Sequence, residues 1–312
     1  MLTRVGVKRD QYVVSPGLYG VGTPDSKSPV IVTANYKLSF DTVRSALAGH
    51  DAWLLVLDTC GINVWCAAGK GTFSTAELVF QISRTALEQV VDHRRVIVPQ
   101  LGATGVAAHR VKKLSGFSVI YGPVRASDLD AFLNNSLNIE PEMRLVTFSL
   151  AERTVLVPVE FYLLGRSLWW LVPLLFIVSG FGPSIYSISQ AWGRGLVLIA
   201  ATAAGICSGA LLVPLLLPYL PGKPFSFKGF VTGVICGGIL DYMLFNHLSV
   251  YERAAAWLWV CSVSSYLGMN FTGSTPFTSP SGVEWEMKRA IPLQTLATLV
   301  ASALWLVAPF TW

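Results

Sequence analysis

The chain has 312 residues, 53% hydrophobic and only 13% charged, with a formal net charge of +5. Ordinary soluble domains carry about 25% charged residues, so this balance excludes a wholly soluble enzyme, and disordered, collagen-like and coiled-coil chains with it. Five Cys scattered over such a length are too few for a disulfide framework.

The average conceals a division. Residues 1–160 hold 16 of the 23 Lys and Arg and 14 of the 18 Asp and Glu, while 161–312 hold eight of the ten Trp. The sequence therefore reads as a soluble domain over 1–160 followed by a membrane domain over 161–312. Residues 1–28 lack the apolar core of a signal peptide, which leaves the first spanning helix as the insertion signal.

In the first half, apolar runs at 29–34, 53–57, 95–98, 117–121 and 144–148 read as strands. Helical patterns at 41–47, 74–91, 105–114 and 127–133 alternate with them. Continuous apolar strands alternating with helices argue an α/β domain whose parallel sheet is buried on both faces. Ligands of such sheets lie beyond the carboxyl ends of the strands. Those ends, at 33–36, 58–71, 99–105 and 121–125, are rich in Gly and small polar residues. That composition suits a large, flat ligand that the backbone approaches closely.

One of these stretches is distinctive: Asn63-Val-Trp-Cys-Ala-Ala-Gly-Lys70. A phosphate-loop reading fails, because Gly would be needed at Val64 and Ser or Thr at Gly71. Cys60 and Cys66 do not have the spacing of a zinc site. What remains is a single thiol, Cys66, on a short helix that opens after a strand, with Lys70 one turn later. A thiolate is both a nucleophile and a soft metal ligand. A buried structural Cys is the plain alternative. Trp65 serves equally well as core packing, Cys60 reads as structural, and His109 belongs on a solvated helix face.

In the second half, five apolar stretches at about 167–188, 196–217, 229–248, 254–271 and 291–311 approach the ~20 residues that cross ~30 Å of hydrocarbon. Pro214, Pro218 and Pro221 should kink or stop the second. Arg153, Arg166, Lys223, Lys228, Lys288 and Arg289 flank one side and only Arg194 and Arg253 the other. This bias puts the N-terminal domain in the cytoplasm and the protein in the cytoplasmic (inner) membrane. Trp169, Trp170, Trp192, Trp257, Trp285 and Trp312 lie near helix ends, as an interfacial belt requires. Asp241 falls inside a span without an evident cationic partner, and Gly233, Gly237 and Gly238 beside it suggest close helix packing. Cys207, Cys236 and Cys261 read as small packing residues. The polar stretch 270–284 is expected to form a cytoplasmic loop that meets the soluble domain or a partner.

The octapeptide 63–70 matches the signature of the mercury-methylating corrinoid protein family, HgcA. Val32-Thr-Ala-Asn-Tyr-Lys-Leu-Ser-Phe-Asp41, Pro99-Gln-Leu-Gly-Ala-Thr-Gly105 and Tyr121-Gly-Pro-Val-Arg-Ala126 resemble the corrinoid domain of the corrinoid iron–sulfur protein of the acetyl-CoA pathway. A corrinoid domain joined to spanning helices resembles the mercury-methylating layout. The resemblance implies a Rossmann-like corrinoid-binding α/β domain followed by an all-α membrane domain of five transmembrane helices. It implies a cobalt corrinoid, cobalamin-like, with Cys66 as the lower axial cobalt ligand and catalytic residue. The cofactor would be bound by Thr33, Asn63, Val64, Trp65, Cys66, Ala67, Ala68, Gly69, Lys70, Gln100, Gly102, Gly105, Tyr121, Gly122, Pro123 and Arg125. The Asp-x-His-x-x-Gly motif of other corrinoid enzymes is missing, since Asp92 and His93 are adjacent.

The implied reaction is methyl transfer from the corrinoid to Hg(II), giving methylmercury. Hg(II) is an electrophile, so the methyl group must leave cobalt with its bonding electrons or as a radical, and an electron-rich thiolate on the opposite face favours that. The chain has no CxxCxxC run for an iron–sulfur cluster. The implied partners are therefore a ferredoxin-like iron–sulfur protein (HgcB) as electron donor and a methyl donor from the methyltetrahydrofolate pathway, with no nucleic acid. A corrinoid methyl carrier of one-carbon metabolism with another acceptor, or a non-catalytic membrane corrinoid sensor, are the alternatives.

Overall fold

Four of the expected strands pair side by side, and what covers them follows from their order. The computed structural model describes residues 12–275 and 278–311. The chain divides into two compact units, Met1–Thr147 and Phe148–Trp312. The division falls ahead of residue 160 because the short helix Leu150–Thr154 already belongs with the helical unit.

The first unit contains β1 (Gly17–Val21), β2 (Val30–Ala34), α1 (Lys37–Ala46), β3 (Ala52–Leu57), α2 (Val64–Lys70), α3 (Thr75–Arg84), α4 (Leu87–Val90), β4 (Arg95–Pro99), α5 (Ala108–Ser115), β5 (Ser118–Gly122) and α6 (Leu129–Asn134). The sheet order is β1-β3-β2-β4-β5, with β2, β3, β4 and β5 parallel and β1 antiparallel to β3. The chain runs from β2 outward to β3, then steps back over β2 to β4 and on to β5. Right-handed crossovers then force the two directions onto opposite faces. Accordingly Phe40, Leu47 and Phe132 cover one face with Ile31, Leu54 and Val56. Leu78, Ile82, Val111 and Phe117 cover the other with Val32, Leu55 and Val98. β2 is buried along its whole length, as a central strand covered twice must be.

Three expectations need correction here. Residues 144–148 form no strand: a 3-10 turn, Pro141–Arg144, leads into extended chain whose Leu145 and Val146 are exposed. Apolar composition alone gave that run no neighbour to pair with. Conversely, β1 was not expected, because Gly17, Gly20 and Gly22 dilute its pattern. It is an antiparallel edge strand, so the sheet is mixed. The helix expected over 74–91 breaks at Ala86, whose φ of 46° is left-handed.

The second unit is helical: α7 (Leu150–Thr154), α8 (Val157–Ser179), α9 (Ile188–Ile206), α10 (Val213–Leu216), α11 (Phe225–Leu240), α12 (Val250–Asn270) and α13 (Pro280–Val307). Among the described residues, three continuous helical stretches are long and apolar enough to cross a membrane: Ile188–Leu216, Phe225–Phe245 and Ser281–Phe310. A bent pair, Leu150–Gly165 with Leu168–Ser179, would make a fourth. The first expected span, 167–188, is displaced: its helix ends at Ser179, and a small hairpin, Phe181–Gly182 with Ile185–Tyr186, precedes α9. Helix Ile188–Leu216 passes through a π-helical turn, Cys207–Leu212, and stops before Pro218 and Pro221. The stretch 270–284 is not a free loop, since Thr272 and Thr275 are buried and α13 begins at Pro280. Trp169, Trp170, Trp192 and Trp285 are exposed, while Trp312 lies outside the described residues.

α12 packs against α9, α11 and α13. A Cβ on Gly229 would fall 2.4 Å from the Ser264 carbonyl oxygen, so α11 and α12 approach at backbone distance. Asp241 is not alone, as expected from the sequence, but paired. Arg253 donates to both its carboxylate oxygens, at 2.8 and 2.6 Å, because α12 starts before residue 254. Arg194 is likewise enclosed. It donates to Glu252 at 2.8 Å and to the carbonyls of Ser179, Phe181 and Trp305, and its guanidinium lies 4.6 Å from the Trp305 ring centre. Both cations of the lightly charged flank are therefore neutralised by acids.

Removing one member of the Arg194–Glu252 pair strands a buried charge. Arg194→Leu is expected to cost about 3–5 kcal/mol, and pairing it with Glu252→Leu should recover much of that loss. Apparent unfolding temperatures of the full chain in detergent check both variants.

Candidate functional site

The carboxyl ends of β2, β3, β4 and β5 share one edge of the sheet, and the change of direction falls between β2 and β4. Open α/β sheets bind their ligands at such a switch point. Asn35, just past the end of β2, organises the edge. Its side-chain oxygen accepts from the Thr59 amide (3.1 Å), the Thr59 hydroxyl (2.8 Å) and the Gly61 amide (3.0 Å). Its amide nitrogen donates to Asp58 Oδ1 at 3.0 Å. The same Asp58 oxygen receives the Cys60 amide, and Glu77 of α3 accepts the Asp58 amide. Cys60 (φ 56°) and Gly61 (φ 71°) both adopt left-handed backbone in this turn. Sequence reasoning placed Asn35 in a strand-end stretch without giving it a role. The signal was present: a polar side chain directly after a fully apolar strand needs a partner.

This loop delivers the chain into α2, whose first turn is held by Asn63. The Asn63 side chain accepts from the Cys66 amide at 2.9 Å, an N-cap that satisfies one of the orphan donors of the helix start. Gly71, at φ 79°, closes the other end, and the Thr72 and Phe73 amides return to the Ala67 carbonyl. Ala67 and Ala68 are buried against the sheet, while Gly69 and Lys70 are exposed. Val64, Trp65 and Cys66 lie between these extremes, half-buried. Cys66 is thus held on a short, twice-capped helix with its side chain partly open to solvent. His109 is exposed, as expected.

The two loop glycines serve packing. A Cβ on Gly105 would stand 2.0 Å from the Phe73 carbonyl oxygen and 3.2 Å from Ala68 Cα. One on Gly102 would stand 2.5 Å from the Phe73 ring. Their lack of side chains lets the loop after β4 press onto α2. Gly122 is similarly crowded by Ile97, at 3.0 Å. The Tyr121 hydroxyl donates to the Val106 carbonyl at 2.6 Å, Pro123 is buried, and Arg125 bonds the Thr147 hydroxyl. These residues brace the edge.

Two side-chain oxygens at the switch point are different. Thr33 Oγ1 on β2 and Gln100 Oε1 just past β4 are buried without a hydrogen-bond partner. Burying an unpaired polar atom is costly, and an absent polar ligand is one explanation. Thr33 shares its sheet face with Ile31 and its register partner Val56, whereas α2 packs on the opposite face. The Thr33 hydroxyl and α2 therefore lie on opposite faces of the sheet.

Comparisons with known proteins bear on this unit. Residues 8–133 match the family model described as the CO dehydrogenase/acetyl-CoA synthase delta subunit. The acetyl-CoA decarbonylase/synthase complex subunit gamma of Methanopyrus kandleri is 36% identical over 127 residues, 40% of this chain and 27% of that protein. The corrinoid/iron-sulfur protein large subunit of Moorella thermoacetica is 31% identical over 126 residues, 40% of this chain and 28% of that protein. The α/β unit is similar to these subunits. The chain spans about a quarter of the length of these relatives, and the residues matched by the family model end within α6.

Asn63→Ala should cost about 1 kcal/mol through loss of the cap and raise amide exchange across 64–70, read by hydrogen–deuterium exchange of the full chain. Gly105→Ala should cost about 1–3 kcal/mol by overpacking, because the atom it meets is backbone. Gly69→Ala, which meets nothing within 4 Å, should be neutral or stabilising by a few tenths, roughly. Thermal unfolding of the pair separates the two glycines.

Proposed function

We propose that this protein is a membrane-embedded corrinoid protein that transfers a methyl group to Hg(II), with the Cys66 thiolate as the lower ligand of cobalt. The observation that carries the corrinoid is the 31% identity over 126 residues to a subunit named as a corrinoid/iron-sulfur protein, in a chain whose α/β switch point holds two orphaned polar atoms. The acceptor rests on the octapeptide 63–70 and on the helical unit joined to the α/β unit.

The residues present fit such a group. Gln100, in the turn that packs on α2, would offer its unpaired oxygen to an amide group at the edge of a corrin ring, while Thr33 leaves its own on the opposite face of the sheet. Cys66 would hold the metal from a helix that Asn63 caps and Asn35 anchors through the preceding loop. Caps at both ends of α2 keep the sulfur from moving freely, which matters for a ligand that must stay in one place. Gly102 and Gly105 act one layer back, letting the loop after β4 support α2. When bound, the corrinoid would supply a methyl group on cobalt that leaves with its bonding electrons or as a radical. Electrons would come from a ferredoxin-like iron–sulfur partner such as HgcB, and the methyl group from the methyltetrahydrofolate pathway.

The helical unit is proposed to cross the membrane five times, through α8, α9, α11, α12 and α13. α12 falls short of the apolar standard of the others because Ser, Trp, Glu252 and Arg253 interrupt it. It packs against α9, α11 and α13, and Glu252, Ser262, Ser264 and Ser265 are buried in those contacts. Pairing of Arg194 with Glu252 and Arg253 with Asp241 leaves unpaired cations chiefly on the other flank, which favours a cytoplasmic α/β unit in the inner membrane.

A second reading has a specific observation in its favour. Relatives named as acetyl-CoA decarbonylase/synthase subunits suit a corrinoid methyl carrier of one-carbon metabolism with a different acceptor. One experiment addresses both. The full chain, reconstituted with methylcobalamin, is expected to form methylmercury from Hg(II). Cys66→Ala should keep the corrinoid, change its optical spectrum and fall to the background of free methylcobalamin. Unchanged methylmercury formation in that variant would remove the axial role. A wild-type protein that binds corrinoid but never methylates Hg(II) would leave the carrier reading.

A further inference from the structure

We propose that the helical unit carries a binding site for a phosphate group, in a cavity where α7, α10 and α11 meet. The cavity holds about 420 Å³ and is lined by Arg153, Lys223, Lys228, Phe148, Leu217 and Phe225, among others. Small-molecule sites occupy about 300–1,000 Å³.

Arg153 carries the argument. It is only 7% exposed, its Nε is buried without a hydrogen-bond partner, and no carboxylate pairs with it among the described residues. A guanidinium cannot shed its charge, so it must find an anion when buried. Arg194 shows what this same unit does with a buried guanidinium that has no ligand to wait for: Glu252 and three carbonyls surround it. Arg153 has nothing comparable.

The other cations converge on the same space. Lys228 is 8% exposed, and its ammonium donates to the carbonyls of Leu217 (3.2 Å) and Leu220 (2.5 Å). An ammonium has three protons, so one remains for a ligand. Lys223 is exposed at the rim. No described lining residue is acidic. Buried Glu286 is already engaged by the Ser226 amide (2.5 Å) and the Thr272 hydroxyl (3.2 Å). Phosphate suits a guanidinium fork better than a lone carboxylate does, since three oxygens can engage Arg153 and both lysines together. Phe148, Leu217 and Phe225 leave an apolar wall for whatever the phosphate is attached to.

The phosphate could belong to an anionic lipid headgroup or to a soluble phosphate, and the test separates these. The full chain in detergent is titrated with radiolabelled inorganic phosphate. In parallel it is incubated with vesicles of phosphatidylglycerol or of phosphatidylcholine, and retained lipid is read by native mass spectrometry. Binding of inorganic phosphate alone assigns a soluble ligand; preferential retention of phosphatidylglycerol assigns a lipid. In either arm Arg153→Gln should weaken binding about tenfold or more and Lys223→Gln about threefold to tenfold. Lys223 is exposed, so its variant decides the matter even if Arg153→Gln does not fold. Absence of binding in both arms, or binding unchanged in Lys223→Gln and in any folded Arg153→Gln, overturns the site. None of these readouts depends on the corrinoid or on mercury.

Discussion

The candidate site hangs on one oxygen atom. Asn35 Oδ1 gathers three donors from Thr59 and Gly61, and its amide group fixes Asp58, so the turn leaving β3 is tied to the end of β2. Everything downstream inherits its position from that knot: the left-handed Cys60–Gly61 turn, the Asn63 cap and the first turn of α2, which bears Cys66. Because β2 and β3 are adjacent parallel strands with matched register, the knot spans a short distance that the sheet itself sets. The helix is then trapped from the far side by the loop after β4, which reaches it only because Gly102 and Gly105 have no side chain in the way. A single partly open sulfur is thus held by hydrogen bonds on one side and packing on the other.

The helical unit solves a different problem, that of charge among apolar helices. Arg194 meets Glu252 and three carbonyls, Arg253 meets Asp241 twice, and Lys228 closes the carbonyl end of α10. Each pairing offsets a desolvation cost that would otherwise disfavour the fold. Against that pattern an unpaired, buried Arg153 stands out, and it stands out at a cavity rather than in packed protein. The close approach of α11 and α12 at Gly229 and Ser264 shows how a polar stripe can sit in the middle of such a bundle. The Ser264 hydroxyl donates to the Gly229 carbonyl, and Thr232 lies within reach of it. A helix in that position is selected for fit and hydrogen bonding rather than for hydropathy, and α12 is accordingly not among the helices apolar enough to cross a membrane.

Local pattern decided most of the α/β unit. The apolar runs became β2, β3, β4 and β5, and the octapeptide became a capped helix because Asn and Gly stand where caps are needed. The misses share a cause. β1 is held by its pairing with β3, so its glycines cost it any recognisable pattern. The run 144–148 has the composition of a strand but no edge that accepts it. Asp241 looked isolated because its partner lies in a different helix and only the start of α12 at Val250 brings Arg253 alongside.

By itself the sequence determined which segments must leave water, how they alternate, and which thiol stands in a distinctive setting, because composition and periodicity report solvent exposure directly. The tertiary structure decided which polar groups find one another: the Asn35 knot, the neutralised arginines, the faces on which Thr33 and α2 lie, and the arginine left waiting at a cavity. Such pairings join residues far apart in the chain, and no local pattern encodes the distance between them.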